Sequence, residues 1–193
     1  MPVAEVRFTR TGERRYRVEV ERDDGSVLHM PRGPGFDPWL PHDLLHFVVE
    51  RHFGIRRGVF GQLAGGGDAG TFFTIPHHRR DPARRLNMRL ATLGRDDMAR
   101  SERLTAACMV AWNARRAERW EFTETVAPAE LTELSDALMA ELDEVARRWH
   151  RVQIGRALTL CWPADLTASS RKAPQERRVK RERALPPQRR RIA

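Results

Sequence analysis

Between Leu44 and Phe53 the chain sets Leu44, Leu45, Phe47, Val48, Val49 and Phe53 around most of a helix circumference, leaving one arc for His42, Asp43, His46 and Glu50. So wide an apolar surface has to face a core. Pro41 suits a first helical turn, where a missing N–H costs nothing, and Asp37-Pro38 offers an earlier cap and start. Gly54 stops the helix.

The polar arc supports two readings. His42-Asp43-Leu44-Leu45-His46 has the i, i+4 histidine spacing of the HExxH zinc helix, with Asp43 where that motif carries its general-base glutamate. A histidine in the first turn lies at the positive end of the helix dipole, which favours the neutral, ligating imidazole of His42. Glu50 stands a further turn away, roughly 6 Å along the axis, so the third ligand is expected from His77, His78 or Asp68. The plainer reading, and the favoured one, is a solvated stripe in which Glu50 exchanges ordinary hydrogen bonds with His46 or Asp43.

From Gly61 to Gly70 the sequence GQLAGGGDAG is rich in glycine, which lets backbone N–H groups turn inward around an anion. Gly65, Gly66, Gly67, Asp68 and Gly70 are the candidates for such a cradle. The lysine of a Walker loop is absent, and a surface loop is the expected form.

The PHDLLHFVVE helix, the GVFGQLAGGGDAGTF loop and the GRALTLCWP segment resemble a family of uncharacterised bacterial proteins of actinobacterial type. The resemblance covers residues 1 to 163 and implies an outline without an activity.

The 193 residues carry a formal charge of +9, a value that suggests an anionic partner only if it is spread over the folded surface. It is not. Residues 163–193 hold ten Lys and Arg against three acidic residues, a net of +7, and leave the rest at +2. Both lysines, Lys172 and Lys180, fall in that tail. Few large apolar residues accompany them, so a disordered basic tail is expected. Arg171, Lys172, Arg177, Arg178, Lys180, Arg181, Arg183, Arg189, Arg190 and Arg191 are its candidate contacts with nucleic acid or an acidic protein, nonspecific because no aromatic residue is there to stack on bases. Cys108 and Cys161 sit in apolar settings that read as packed thiols. No apolar run approaches the length of a membrane span, and a cytoplasmic protein without a membrane partner is expected.

Along the chain, Val3 to Phe8, Arg15 to Val20 and Ser26 to Met30 alternate as a three-stranded meander. Helices are expected from Asp81 to Gly94, from Asp96 or Asp97 through Trp112, and in one run of about five turns from Pro128 to Trp149. Residues 120 to 126 read as a strand or a linker. Val152 to Trp162 alternates again, with Gly155 as a bulge, and is expected to join the meander.

The expected fold is a single α+β domain over residues 1–162, an antiparallel sheet of about four strands with helices packed mainly on one face, followed by the tail. Functionally, the favoured expectation is a noncatalytic binding or accessory protein whose tail contacts nucleic acid. The alternative is a metal-dependent hydrolase, with zinc on His42, His46 and His78, Asp43 as general base and the glycine loop donating to the substrate. A third reading is an interaction pocket between the histidine helix and the glycine loop, with Trp39 or Phe72 and Phe73 as apolar walls.

Overall fold

Alternating apolar residues put one side of each N-terminal strand into a core, and the fold is built on that side. A computed structural model describes residues 2–30, 32–33, 39–70, 73–74, 81–115, 126 and 128–169. Strands β1 (Pro2–Gly12), β2 (Arg15–Arg22) and β3 (Val27–Met30) form the expected meander. The two-residue β4 (Phe73–Thr74) pairs with β3, and β5 (Ala157–Pro163) pairs with the other side of β1. The sheet is antiparallel in the order β4-β3-β2-β1-β5.

Register sorts the side chains by face. Val6 stands between Val20 and Leu160, and Phe8 between Val18 and Leu158. With Ala4, Tyr16, Leu28, Met30 and Trp162 they make one buried face. The opposite face carries Glu5, Arg7, Glu19 and Glu21, where Arg7 pairs with Glu5 at 2.6 Å and Glu21 at 2.8 Å. Cys161 lies there too and is exposed, contrary to its expected packing; Cys108 is buried, and burial pushes its thiol up to about 12.

Helix α1 (His42–His52) lies on the buried face with Phe47 as its anchor, whose ring centroid is 5.1 Å from Phe60, 5.3 Å from Trp162 and 6.2 Å from Phe8. A short helix α2 (Val59–Ala64) follows, then α3 (Asp81–Leu93) and α4 (Arg95–Arg115). The single long helix expected from Pro128 is in fact two, α5 (Pro128–Thr132) and α6 (Asp136–His150). Ser135 divides them: its backbone is extended and its Oγ accepts the Leu138 N–H at 3.1 Å, a side-chain N-cap that restarts the helix.

Two further expectations are corrected. Val152 to Arg156 forms a turn rather than strand, with Gly155 at φ +83 and its N–H on the Arg10 carbonyl at 2.7 Å. The fold also runs past Trp162. A 3-10 turn at Ala164–Leu166 brings the Leu166 carbonyl to the Trp162 indole N–H at 3.2 Å, and the Ala168 N–H meets the Gly61 carbonyl at 2.9 Å. Leu166 and Ala168 are buried. The expected contacts in the tail from Arg171 onward, together with His77, His78, Phe72 and residues 120–125, lie outside the described residues. Among the described residues no helix is long and apolar enough to cross a membrane.

Candidate metal centre

The polar arc of α1 is not a solvated stripe. Its residues face protein: Asp43 is 8 % exposed, His46 3 % and Glu50 0 %. Burying three titratable groups on one helix requires partners for each, and the partners come from three other elements.

Glu50 is held by the start of α2 and by α4. Its carboxylate accepts the Val59 N–H at 2.8 Å, the Phe60 N–H at 3.0 Å and the Ser101 hydroxyl at 2.7 Å. Gly58 makes the approach possible, since a Cβ there would stand 2.3 Å from the same carboxylate. Burial pushes the Glu50 pKa up, and His46 with these hydrogen bonds opposes it. Asp43 turns toward the sheet, accepting the Tyr16 hydroxyl at 2.6 Å. Burial raises Asp43, against the pull of Tyr16 and the two histidines; burial and Asp43 together raise Tyr16.

His46 links this buried network to a second, more open group. Its Nδ1 lies 2.9 Å from Ser101 Oγ and 3.2 Å from Thr105 Oγ1. Its Nε2 lies 3.1 Å from His42 Nε2 and 3.5 Å from Glu102 Oε2. Burial disfavours charge on His46, but the Glu102 contact and the charges of Glu50, Glu102 and Asp43 outweigh it and raise the pKa. The same contact with His46 is the main cause that lowers Glu102.

One ligand atom from each of His42, His46 and Glu102 falls within 4.8 Å of the other two. Zinc ligands about 2.0–2.2 Å from the ion, set tetrahedrally, stand about 3.3–3.6 Å from one another. The His42–His46 and His46–Glu102 edges, 3.1 and 3.5 Å, lie near that spacing, and the third edge is within 4.8 Å. His46 is buried, His42 is half-buried and the Glu102 side chain is 61 % exposed, so one side of the triad faces solvent.

Among the described residues the atom that joins the two histidines belongs to Glu102 and not to Asp68, while His77 and His78 lie outside those residues. Asp68 takes no part in the triad: its N–H donates to Asn87 Oδ1 at 3.0 Å, and its carboxylate accepts the Asn87 amide and the Gly70 N–H. Asp43, the expected base, is buried and accepts the Tyr16 hydroxyl. Ser101, Glu102, Thr105 and Tyr16 were not singled out by the sequence.

The glycine segment has a different role from an anion cradle. Its first part is α2, and the glycines beyond Ala64 cap that helix. Gly65, Gly66 and Gly67 donate to the Gly61, Leu63 and Gln62 carbonyls, with Gly66 at φ +96 reversing the chain. Arg22 covers the same end, donating to the Leu63 carbonyl at 2.6 Å and to the Gly67 carbonyl. The N–H groups of Gly65, Gly66, Gly67, Asp68 and Gly70 are thus bonded within the protein.

Trp39 walls a groove of about 400 Å³ with Asp143, Ala146, Arg147, His150 and Arg151 of α6 and its C-terminal end. Its ring lies 4.9 Å from that of His150. No protein-family model, curated protein or solved structure matches this chain.

Proposed function

We propose that the protein is a metal-dependent hydrolase centred on His42, His46 and Glu102, with zinc as the fitting ion. The observation that carries the reading is the convergence of the three ligand atoms within 4.8 Å. Two imidazoles and one carboxylate are a ligand set of catalytic zinc, which keeps a further position for water or substrate, whereas structural zinc is closed by four protein ligands. The solvent side beside Glu102 supplies room for that position. A zinc ion held by these residues would supply Lewis acidity and would lower the pKa of a bound water. The chain's own share is to hold the ligands from two helices and to keep His46 dry.

Purified protein is expected to hold, or take up, about one equivalent of zinc per chain. His42→Ala and Glu102→Gln should lose most of it while keeping the helical circular dichroism of the parent, since both side chains reach the solvent side. Loaded protein should hydrolyse an aryl ester or aryl phosphate, with activity removed by a chelator and restored by zinc. Failure of the native chain to take up zinc, cobalt or manganese on titration would sink the proposal.

A second reading rests on charge, because residues 163–193 hold +7 of the net +9. The tail contacts nucleic acid through phosphates alone. Its affinity for duplex DNA should fall steeply as salt rises, and a version ending at Ser169 should lose both the binding and the salt dependence. Equal binding by the two across the series would exclude it.

A further inference from the structure

We infer that Glu50 and Ser101 are positioning residues of the metal centre: a buried hydrogen-bond chain from Glu50 through Ser101 to His46 holds the imidazole with its proton on Nδ1 and its lone pair on Nε2, facing His42 and Glu102. This inference rests on the metal reading above.

The direction of the chain is set by a count of protons. A hydroxyl has one, and a backbone N–H can only donate. Glu50 Oε1 faces Val59 N–H and Ser101 Oγ, while Oε2 faces Phe60 N–H, so the two backbone groups fill acceptor positions on both oxygens. With Glu50 as carboxylate, the Ser101 proton points to Oε1 at 2.7 Å. Ser101 Oγ then has only lone pairs to offer His46 at 2.9 Å, and Nδ1 must be the donor. Thr105 Oγ1, at 3.2 Å, offers the same nitrogen a second acceptor. The ligating form of the ring is neutral and carries one proton, so with that proton on Nδ1 the lone pair of Nε2 stands at the mouth of the triad. A proton on Glu50 Oε1 would reverse the two links through Ser101, leave the backbone bonds as they are, and give the opposite tautomer.

Such an outer partner for a ligating histidine orients the ring and strengthens it as a donor to metal. Glu50 is 0 % and Ser101 1 % exposed, so water does not compete for the chain. Because the same carboxylate ties down the first N–H groups of α2, the ring of His46 is referenced to α2 and α4 at once.

Two measurements on the full chain test the role. Long-range ¹H–¹⁵N spectra of histidine-labelled protein with zinc should show His46 protonated at Nδ1 and metal-shifted at Nε2. Zinc titration should show Ser101→Ala binding about 10–100-fold more weakly, with recovery toward the parent in Ser101→Thr, which keeps the hydroxyl. A bare Nδ1 in the native protein, or a Ser101→Ala affinity equal to the parent's, overturns the inference while leaving the metal reading intact. A native chain that takes up no zinc overturns both. Should Ser101→Ala fail to fold, the native tautomer still decides.

Discussion

Replacing Glu50 by alanine is expected to lower the unfolding free energy by about 3–5 kcal/mol, as removal of one partner from a buried charged network does. Three donors lose their acceptor together: Val59 N–H, Phe60 N–H and the Ser101 hydroxyl. Each buried group left unpaired costs about 1–3 kcal/mol, so even incomplete relaxation leaves a large deficit. Denaturant unfolding checks it, through a lower midpoint at an unchanged slope. A loss under about 1 kcal/mol would mean that water enters and replaces the carboxylate. Glutamine should repair this in part only, since its NH₂ presents a donor to one of the donors. Zinc affinity should fall in both variants along with stability.

Phe47→Ala is expected to cost a similar amount, about 3–5 kcal/mol, by a different route. The side chain is fully buried and its ring meets Phe8, Phe60 and Trp162, which join α1 to the sheet and to α2. Removing it leaves a cavity and unpaired ring edges without disturbing a hydrogen bond of the triad. Unfolding should therefore shift as far as in the Glu50 variant, while the zinc Kd of the folded variant changes by less than about threefold. Equal losses of metal affinity in the two variants would show that the centre reports general looseness rather than its own hydrogen bonds.

Much of the architecture was legible because it rests on local period. Alternation in Val6, Phe8, Val18, Val20, Leu158 and Leu160 marked the strands that form one buried face. The apolar girth of α1 marked it as a core helix. Period also misled. Leu131 and Leu134 continue the spacing of Leu138 and Leu142, yet Leu131 is 40 % exposed and Ser135 interrupts the helix. The clue, a serine followed by aspartate before an apolar run, was present and was overridden by the leucines. In the glycine segment composition suggested a loop, but Gly61 lies within α2, at a position where no side chain fits: a Cβ would stand 2.0 Å from the Arg56 carbonyl.

The site was half legible. Histidines at i, i+4 share a helix face by geometry alone, and they do meet. Whether that face is wet or dry depends on what covers it, and the cover is Ser101 and Thr105, far along the chain. Glu102 looks like any exposed acid in a helix whose first turns carry Arg95, Asp96, Asp97, Arg100 and Arg103. Only the packing of α4 on α1 distinguishes it. The burial of Glu50 was likewise hidden, since its partners include backbone N–H groups, which every residue but proline has.

The pairing of β1 with β5 also orders events at the ribosome. Ala4 finds Trp162 as its partner, so a nascent chain can close the β1–β2 hairpin early and assemble α1 against α4 well before β1 is covered on its other side. Throughout that interval β1 presents a bare edge of N–H and C=O groups, with Val6 and Phe8 beside it still lacking Leu158 and Leu160. A chain that stops before Ala157 leaves that edge open to pairing with a neighbour.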